Sequence, residues 1–263
     1  MAYGDLLYGT RAGGAWIRLN RPADMNALGP RLIAECGQAL TQAAEDPAVR
    51  AVVVTGMGRA FCAGADLKFL NDVPAEQRDA ATTAFLEQAS ALMRRIETFP
   101  KPVVAAVNGI ATAGGMELVL CCDLVIAARG ARLGDGHANF GLLPGAGASV
   151  RLPRKIGPTR AKYLFFTGDL LPAADLVAAG LVNQVTEDGA LEATVEALVG
   201  KLAAKSPLGL RRMKQLADDG LEQPQDTALR QELTMAALHT GSFDRNEGIA
   251  AFNEKRKPLF QGR

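Results

Sequence analysis

The chain has 263 residues, enough for one large hydrophobic core or two small ones. Hydrophobic residues make up 48% of it and charged residues 22%, which is the composition of an ordinary globular protein. Its 29 Lys and Arg nearly balance its 28 Asp and Glu, so the overall charge excludes a strong field that would attract nucleic acid or an anionic membrane.

The cysteines and histidines argue against two further classes of protein. The four cysteines lack the spacing of a disulfide framework, and Cys121 and Cys122 are adjacent, so we expect reduced thiols. His137 and His239 are far apart, and no HExxH or CxxC motif occurs, so we expect no metal site. Residues 1–10 show no secretory signal, and no apolar run is long enough for a membrane span. The expected location is the cytoplasm.

Short apolar runs alternate with amphipathic stretches through the first half of the chain. Continuous apolar runs such as 51–55 and 103–107 predict strands that are buried on both faces. The predicted elements are, in chain order, a strand at 15–20, a helix at 27–45, a strand at 51–55, a helix at 75–97, a strand at 103–107, a helix at 116–121 and strands at 123–127 and 131–133.

From Gly157 onward the pattern changes to successive helical stretches, with a last strand at 181–185. Strands that alternate with helices, followed by a run of helices, predict an α/β core and a helical subdomain. We place the core at residues 1–195 and the helical region at residues 196–263.

Three common catalytic motifs are absent. Gly145 and Gly147 begin like a dinucleotide fingerprint, but position 150 is Val. Residues 109–115 lack the Lys and Ser/Thr of a phosphate-binding loop, and Ser149 lacks the second glycine of a nucleophile elbow. These absences argue against dehydrogenases, NTPases and the common serine hydrolases.

Two glycine-rich loops remain, and each follows a buried strand. The first is 60–66 (AFCAGAD) and the second is 109–117 (GIATAGGME). Small residues let the backbone approach a ligand closely, and free N–H groups at a helix start suit a developing negative charge. Two such amides aimed at one oxygen would form an oxyanion hole. The same pattern is also typical of tight strand-to-helix turns that bind nothing.

These loops belong to a series of motifs that runs nearly from end to end. The other members are 20–22 (NRP), 26–28 (NAL), 101–109 (KPVVAAVNG), 141–147 (GLLPGAG), 151–153 (RLP), 166–168 (FTG), 179–183 (AGLVN) and 247–257 (EGIAAFNEKRK). With this ordered series the chain resembles the enoyl-CoA hydratase/isomerase, or crotonase, family. The motifs are specific for the family and much less specific for the reaction.

The resemblance implies a fold, an assembly and a substrate class. The family fold is a spiral of β-β-α turns that forms two sheets, followed by a helical region that builds trimers, which commonly pair into hexamers. The implied substrate is an acyl-CoA or enoyl-CoA thioester, of which coenzyme A is a part. No metal or redox cofactor is implied, because the thioester itself accepts the electrons.

The resemblance also carries over individual contacts. In the family the two loops aim their amides at the thioester oxygen, and the matching donors here are the N–H groups of Ala65 and Gly114. The residues that match coenzyme A contacts are Met25, Asn26, Ala27, Ala63, Ala65, Asp66, Leu67, Lys257 and Phe260. The last two belong to a basic C-terminal segment that in the family often reaches a neighbouring subunit, although a solvated helix end would carry the same charges.

Glu117 follows the second loop, in the first turn of a predicted apolar helix. An acid at a helix N-terminus often serves only to interact with the helix dipole. A buried Glu needs a further reason, however, and desolvation would raise its pKa toward a range that is useful for acid–base catalysis. By resemblance Glu117 matches one of the two glutamates that hold the attacking water in hydratases, and we predict that it is catalytic.

His137 stands where the family has its second glutamate, counting back from Pro144. An imidazole titrates near neutral pH and can transfer protons, so His137 is a second candidate catalytic residue. A polar pocket residue without a role in proton transfer is the alternative. Asp135 lies two positions earlier, where a strand-like segment would point its side chain to the same side.

Three functions therefore remain open. The first is an enoyl-CoA hydratase in which Glu117 is the main acid–base group and His137 assists. The second is another crotonase reaction, such as double-bond isomerisation, which can run with one carboxylate. The third is an acyl-CoA-binding relative with little catalysis, because the second glutamate is lost. The presence of Glu117 and of both loops favours an enzyme, and the acyl chain that it takes stays open.

Overall fold

A computed structural model of the chain describes residues 3–263, apart from the side chain of Leu70. The strands are β1 (Leu6–Arg11), β2 (Gly14–Leu19), β3 (Ala51–Gly56), β4 (Ala60–Cys62), β5 (Val103–Val107), β6 (Ile110–Thr112), β7 (Leu124–Ala128), β8 (Arg132–Gly134), β9 (Leu171–Pro172) and β10 (Gln184–Thr186). The α-helices are α1 (Pro30–Glu45), α2 (Leu67–Asn71), α3 (Arg78–Glu97), α4 (Gly114–Leu120), α5 (Ala148–Ile156), α6 (Pro158–Thr167), α7 (Leu191–Ala203), α8 (Pro207–Gly220), α9 (Gln225–Thr240) and α10 (Phe243–Asn253).

The larger sheet forms the core of the fold. Its six strands lie in the order β1-β2-β3-β5-β7-β10, and all neighbours are parallel except β1 and β2. Every residue of β3 and β5 is buried, as expected for continuous apolar strands in the middle of a parallel sheet. Helix α7 packs against β2, β3, β5 and β7.

The smaller sheet positions the site. Its strands lie in the order β4-β6-β8-β9, with β4, β6 and β8 parallel and β9 antiparallel to β8. Each of β4, β6 and β8 follows a strand of the larger sheet after a short turn, and each is followed in the chain by a helix. This repeated strand–strand–helix unit confirms the predicted spiral of β-β-α turns, and it brings the ends of β4, β6 and β8 to one place.

Most of the elements predicted in the first half of the chain are present, with shifted ends. The helix expected at 27–45 begins only at Pro30, because Leu28 pairs with Ala65 in an isolated bridge and Gly29 is extended, with a φ of −104° and a ψ of 169°. The strand expected at 181–185 is displaced to Gln184–Thr186. The run of helices begins at Ala148 rather than after Gly157.

Five short or peripheral elements were not predicted: β1, β4, β6, β9 and α2. Strands β4 and β6 have three residues each, too few to show a period of two. Strand β1 alternates poorly because it is an edge strand with several exposed residues. Their absence from the prediction matters, since β4 and β6 carry both glycine-rich loops.

The C-terminal helices extend from the sheet. Helices α8, α9 and α10 pack on one another, and the ammonium group of Lys214 in α8 binds Asp123 at 2.8 Å, which ties α8 to the start of β7. The predicted boundary between residues 195 and 196 falls inside α7, a helix that packs on the sheet. Within residues 3–263, no helix has the length and hydrophobicity that a bilayer crossing requires.

Candidate active site

The two glycine-rich loops meet at the start of α4. Gly64 has a φ angle of +101°, and a Cβ atom there would lie 2.9 Å from the Cβ of Ala113 and 3.1 Å from the nitrogen of Gly114. A Cβ atom at Gly115 would collide with the carbonyl of Cys62. Glycine at these positions therefore lets the two loops touch through their backbones.

The amides of Ala65 and Gly114 donate no hydrogen bond within residues 3–263. Ala65 forms an isolated parallel bridge with Leu28, in which Leu28 donates to Gly64 at 2.7 Å and accepts from Asp66 at 2.9 Å. The bridge uses the carbonyl of Gly64 and the N–H of Asp66, so the N–H of Ala65 itself takes no part in it. Gly114 is the first residue of α4, where N–H groups lack a helical acceptor. Both amides are thus available to a ligand oxygen.

Ala113, just before Gly114, has an unusual backbone conformation. Its φ of 49° and ψ of −121° belong to a region that favours glycine and costs a residue with a Cβ about 1–3 kcal/mol. Two hydrogen bonds hold it there: its N–H donates to the carbonyl of Asp135 at 2.5 Å, and its carbonyl accepts from Glu117 at 3.0 Å. The strain is therefore located directly beside one of the two free amides.

Glu117 lies in the first turn of α4 with only 3% of its surface exposed. Its Oε1 accepts the N–H groups of Ala146 at 2.8 Å and Ala148 at 3.0 Å. Its Oε2 accepts no hydrogen bond from the part of the chain that the structure describes. One carboxylate oxygen is thus bound by backbone amides, and the other is free to interact with a ligand or a water molecule.

His137 begins a short 3-10 helix, His137–Phe140, after β8, and it lies beside Asp135. Its Nδ1 is 2.9 Å from both carboxylate oxygens of Asp135, and both residues are buried. The charges of His137 and Glu117 influence each other's titration, so the two side chains share one environment. The structure therefore brings together the two candidate catalytic residues and adds Asp135 to them.

Burial and charge move the pKa values of the two candidates. The pKa of Glu117 is raised because burial disfavours the ionised carboxylate, and the amides of Ala146 and Ala148 offset this only in part. Burial alone would lower the pKa of His137, but the hydrogen bond that its ring donates to Asp135 and the charges of Asp135 and Glu117 outweigh it, so the pKa of His137 is raised. Both groups therefore keep their protons to higher pH than the free side chains would.

Arg151 in α5 fixes the position of the loop at Ala146, whose backbone N–H binds Glu117. Its Nε and Nη2 donate to both carboxylate oxygens of Glu97 in α3, at 2.8 and 3.0 Å. Its Nη1 donates to the carbonyl of Ala146 at 2.8 Å, and the N–H of the same Ala146 binds Glu117. A chain of polar contacts thus runs from α3 through α5 to the candidate catalytic carboxylate.

Two of the residues matched to coenzyme A contacts have structural roles instead. Asn26 is 0% exposed; its Oδ1 accepts the N–H of Arg21, and its Nδ2 donates to the carbonyls of Met57 and Ala60. A fully buried and fully bonded side chain has no free group for a ligand, so the predicted contact at Asn26 stays a prediction for its backbone alone. Asp66 caps α2 and binds Arg21 at 2.7 Å, which occupies its carboxylate.

The other matched residues lie in two parts of the chain. Met25, Ala27, Ala63 and Leu67 belong to the two segments that pair through Leu28 and Ala65, and the N–H of Ala63 donates to the carbonyl of Met25 at 3.0 Å. Lys257 is exposed, and Phe260 packs against Gly248 of α10. No hydrogen bond or ion pair in residues 3–263 joins the tail to the loops of the site.

Two functional candidates were missed by sequence reasoning. Asp135 was noted only for its position, because nothing in the local pattern shows that it contacts the ring of His137. Arg151 appeared only as part of a motif, because its partner Glu97 is 54 residues away in the chain. In residues 3–263 the four cysteines are unpaired and buried, and no cluster of three His, Cys, Asp or Glu suited to a metal ion occurs.

Comparison with known proteins gives relatives that span the chain. The sequence matches the family described as Enoyl-CoA hydratase/isomerase over residues 9–263. It is 38% identical over 262 residues to the crotonyl-CoA hydratase of Syntrophomonas wolfei, with 99% of each chain covered. It is 39% identical over 248 residues to the 2,3-dehydroadipyl-CoA hydratase of Escherichia coli, with 94% of each chain covered.

The structure has similar counterparts among solved structures. The 1.8 Å crystal structure of an enoyl-CoA hydratase from Bacillus anthracis matches it with a TM-score of 0.94 at 36% identity, over 99% of this chain and 100% of the other. A second crystal structure, of an enoyl-CoA hydratase from Mycobacterium smegmatis, matches with a TM-score of 0.91, also at 36% identity, over 98% of this chain and 99% of the other.

Proposed function

The chain belongs to the enoyl-CoA hydratase/isomerase family, and we propose that it is an enzyme that hydrates 2-enoyl-CoA thioesters reversibly. The observation that carries this proposal is the environment of Glu117. A buried carboxylate with one oxygen held by two amides and the other unbonded is suited to take a proton from a water molecule. The free amides of Ala65 and Gly114 lie at the meeting point of the loops beside it.

The two free amides receive the charge that the reaction creates. Addition of water to the double bond of an enoyl thioester moves an electron pair onto the thioester oxygen. The N–H groups of Ala65 and Gly114 donate to that oxygen and stabilise the enolate, and each well-aimed donor lowers the barrier by about 3 kcal/mol. Because the thioester accepts the electrons, the reaction needs no metal or redox cofactor.

Glu117 activates the water. Its Oε1 remains hydrogen-bonded to the amides of Ala146 and Ala148, which fixes the orientation of the carboxylate. Its Oε2 accepts a proton from the water while the water oxygen bonds to the β-carbon of the substrate. The raised pKa of Glu117 strengthens it as a base relative to an exposed glutamate. His137 shares this environment and is the second proton-transfer group.

Coenzyme A binding is proposed at two places. Met25, Ala27, Ala63 and Leu67 lie in the two segments that pair through Leu28 and Ala65, and they would contact the pantetheine and adenine parts of the substrate. Lys257 and Phe260 lie in the tail, which forms no hydrogen bond or ion pair with this loop within residues 3–263, and they would contact the nucleotide of a neighbouring subunit. Trimer or hexamer formation is part of this proposal, as is a location in the cytoplasm, which the unpaired cysteines support.

The test is hydration of crotonyl-CoA, followed by the loss of absorbance of the conjugated enoyl thioester. We expect the wild-type protein to hydrate it and Glu117→Gln to lose at least about 100-fold in kcat. Glu35→Gln is the matched control, since Glu35 is also a buried carboxylate that accepts two backbone N–H groups, but on α1. Unchanged turnover in Glu117→Gln, or equal losses in both variants, would contradict the assignment.

Isomerisation of the double bond is the second candidate function. The observation that favours it is the presence of His137 in place of a second carboxylate, because moving a double bond requires only one group to carry a proton. A 3-enoyl-CoA substrate would then gain the absorbance of a conjugated thioester when mixed with the enzyme. If neither substrate reacts while calorimetry shows that crotonyl-CoA binds, the protein is a binding relative.

A further inference from the structure

Within residues 3–263, the carboxylate of Asp135 has a single partner residue, His137. Both of its oxygens lie 2.9 Å from Nδ1 of His137, and Oδ2 also accepts the backbone N–H of His137 at 3.3 Å. The residue is 1% exposed, and within residues 3–263 its carboxylate forms no other hydrogen bond. A buried carboxylate that contacts only one imidazole ring determines the state of that ring.

The backbone between the two residues enforces this contact. Gly136 has a φ of +72°, and a Cβ atom there would collide with the hydroxyl oxygen of Thr112. The carbonyl of Asp135 accepts from Ala113 at 2.5 Å and from Thr112 at 3.3 Å. Asp135 is therefore attached to the same loop that carries the Gly114 amide, and its side chain has little freedom to leave His137.

This geometry assigns the protons of His137. An imidazole next to a carboxylate donates from the facing nitrogen, so Nδ1 carries a proton toward Asp135. Nε2, which has no partner in the described residues, is then the nitrogen that can gain or lose a proton. The same contact favours the charged ring, and the pKa of His137 is raised despite burial.

The charged groups around the ring are few. Asp135 contacts it from the end of β8, and the charge of Glu117 acts on it from α4. Helix α6 also packs against the turn that begins at His137, but its charged residues Arg160 and Lys162 are exposed. Asp135 and Glu117 therefore account for the electrostatic environment of the ring.

We propose that Asp135 is a positioning residue that makes Nε2 of His137 the proton donor to the α-carbon, in place of the glutamic acid that the family uses. The inference rests on the proposed hydratase function. As the water oxygen bonds to the β-carbon, one water proton passes to Glu117 and the double-bond electrons move to the thioester oxygen. The enolate then takes the Nε2 proton at its α-carbon, which leaves a neutral imidazole. After product release the proton on Glu117 returns to Nε2, so atoms and charges balance.

The first test follows the histidine rings by NMR. The chain has only two histidines, so labelling them with ¹⁵N gives two assignable rings. His239 is an internal control, because its Nδ1 faces Arg212 at 2.8 Å and must accept rather than donate. We expect neutral His137 to carry its proton on Nδ1, and neutral His239 to carry it on Nε2.

The variant Asp135→Asn sharpens this test. Loss of the carboxylate charge should lower the titration midpoint of His137 by about one pH unit or more, while the neutral His239 ring keeps its proton on Nε2. An unchanged midpoint for His137, or a neutral His137 with its proton on Nε2, would overturn the inference. Thermal unfolding of the variant shows whether the fold is retained.

The second test uses kinetics in two backgrounds. In the wild type, Asp135→Asn should lower kcat about 100-fold at neutral pH, with little change in KM, and should move the alkaline limb of the pH–rate profile to lower pH. In an H137E background, Asp135→Asn should leave kcat unchanged or raise it, because the carboxylate of Asp135 would repel the glutamate introduced at position 137. Equal losses in both backgrounds would mean that Asp135 only supports the loop, and would sink the proposal.

The tests separate this inference from the function it rests on. A wild-type protein that binds crotonyl-CoA without hydrating it overturns the proposed function. An active wild type whose kcat and pH profile are unaffected by Asp135→Asn overturns the positioning role alone.

Discussion

At the scale of single residues, the site combines three ionisable groups in one buried region. Glu117 is held on one side by the amides of Ala146 and Ala148, and His137 is held by Asp135. The loss of solvent raises the pKa of Glu117, and the carboxylates of Asp135 and Glu117 raise the pKa of His137 despite its burial. The neighbours of the two groups therefore prepare Glu117 to accept a proton and His137 to donate one.

The raised pKa values of Glu117 and His137 determine the expected pH dependence of hydration. Glu117 must be ionised to accept a proton, so kcat/KM should fall as the pH drops through its raised pKa, above the usual value of about 4.3. His137 must be protonated, so activity should also fall as the pH rises through its raised pKa, above about 6.5. Rates with crotonyl-CoA across pH measure both limbs. A profile without an alkaline limb would contradict the role of His137.

The strained residue Ala113 offers a test of stability. Ala113→Gly removes a Cβ from a conformation that favours glycine, and we expect it to stabilise the protein by about 1 kcal/mol after the added freedom of the unfolded chain is counted. Ala111→Gly is the control, because Ala111 is buried in β6 without a positive φ, and it should destabilise. Denaturant unfolding at one protein concentration gives both values. Destabilisation of both variants would show that Ala113 is not strained.

At the scale of elements, the position of Glu117 depends on three helices. Helix α4 carries the carboxylate, the loop before α5 binds its Oε1, and Arg151 of α5 fastens that loop to Glu97 of α3. Arg151 forms three hydrogen bonds in two directions, which a lysine could not reproduce. The acid–base residue is thus located by contacts distant from the substrate.

We expect Arg151→Met to lower kcat between about 10- and 100-fold, because a small displacement of Ala146 misdirects Glu117. The KM for crotonyl-CoA should change little, since Arg151 contacts no proposed substrate group. Arg154→Met, on an exposed position of the same helix, is the matched control and should be fully active. Steady-state kinetics and thermal unfolding of both variants check this. A rise in KM at constant kcat would assign Arg151 to binding instead.

At the scale of the whole molecule, large apolar side chains are exposed along the second half of the chain. They are Phe140, Leu143, Phe166, Met213, Leu221, Leu229, Leu233, Leu238, Phe252 and Leu259. Scattered apolar residues are normal on a surface, but a concentration on α8, α9, α10 and their neighbours is typical of a surface that associates. The C-terminal helices therefore suit the proposed role in assembly.

We predict that the protein is a trimer or a hexamer in solution. Burial of these apolar side chains between identical subunits should stabilise a closed assembly. Light scattering at micromolar concentration should give the mass of such an oligomer. A stable monomer that hydrates crotonyl-CoA would contradict both the assembly and the proposed contact of Lys257 and Phe260 with a neighbouring site.

The amino-acid sequence by itself determined the class of fold, the two glycine-rich loops and the candidate Glu117. It could do so because these features are local. A continuous apolar run such as 103–107 specifies a buried strand, and small residues in a row specify close backbone approach. The ordered motifs added the family, and with it the expected donors Ala65 and Gly114 and the candidate His137.

Only the tertiary structure decided how these pieces work together. The three-residue strands β4 and β6 are too short for a periodic signal, yet they bring the loops into contact. The side chain of Asn26 became an internal support, Asp135 became the partner of His137, and Arg151 reached Glu97. Each of these outcomes depends on the surroundings that folding supplies, from distant segments or from the turn of the chain itself.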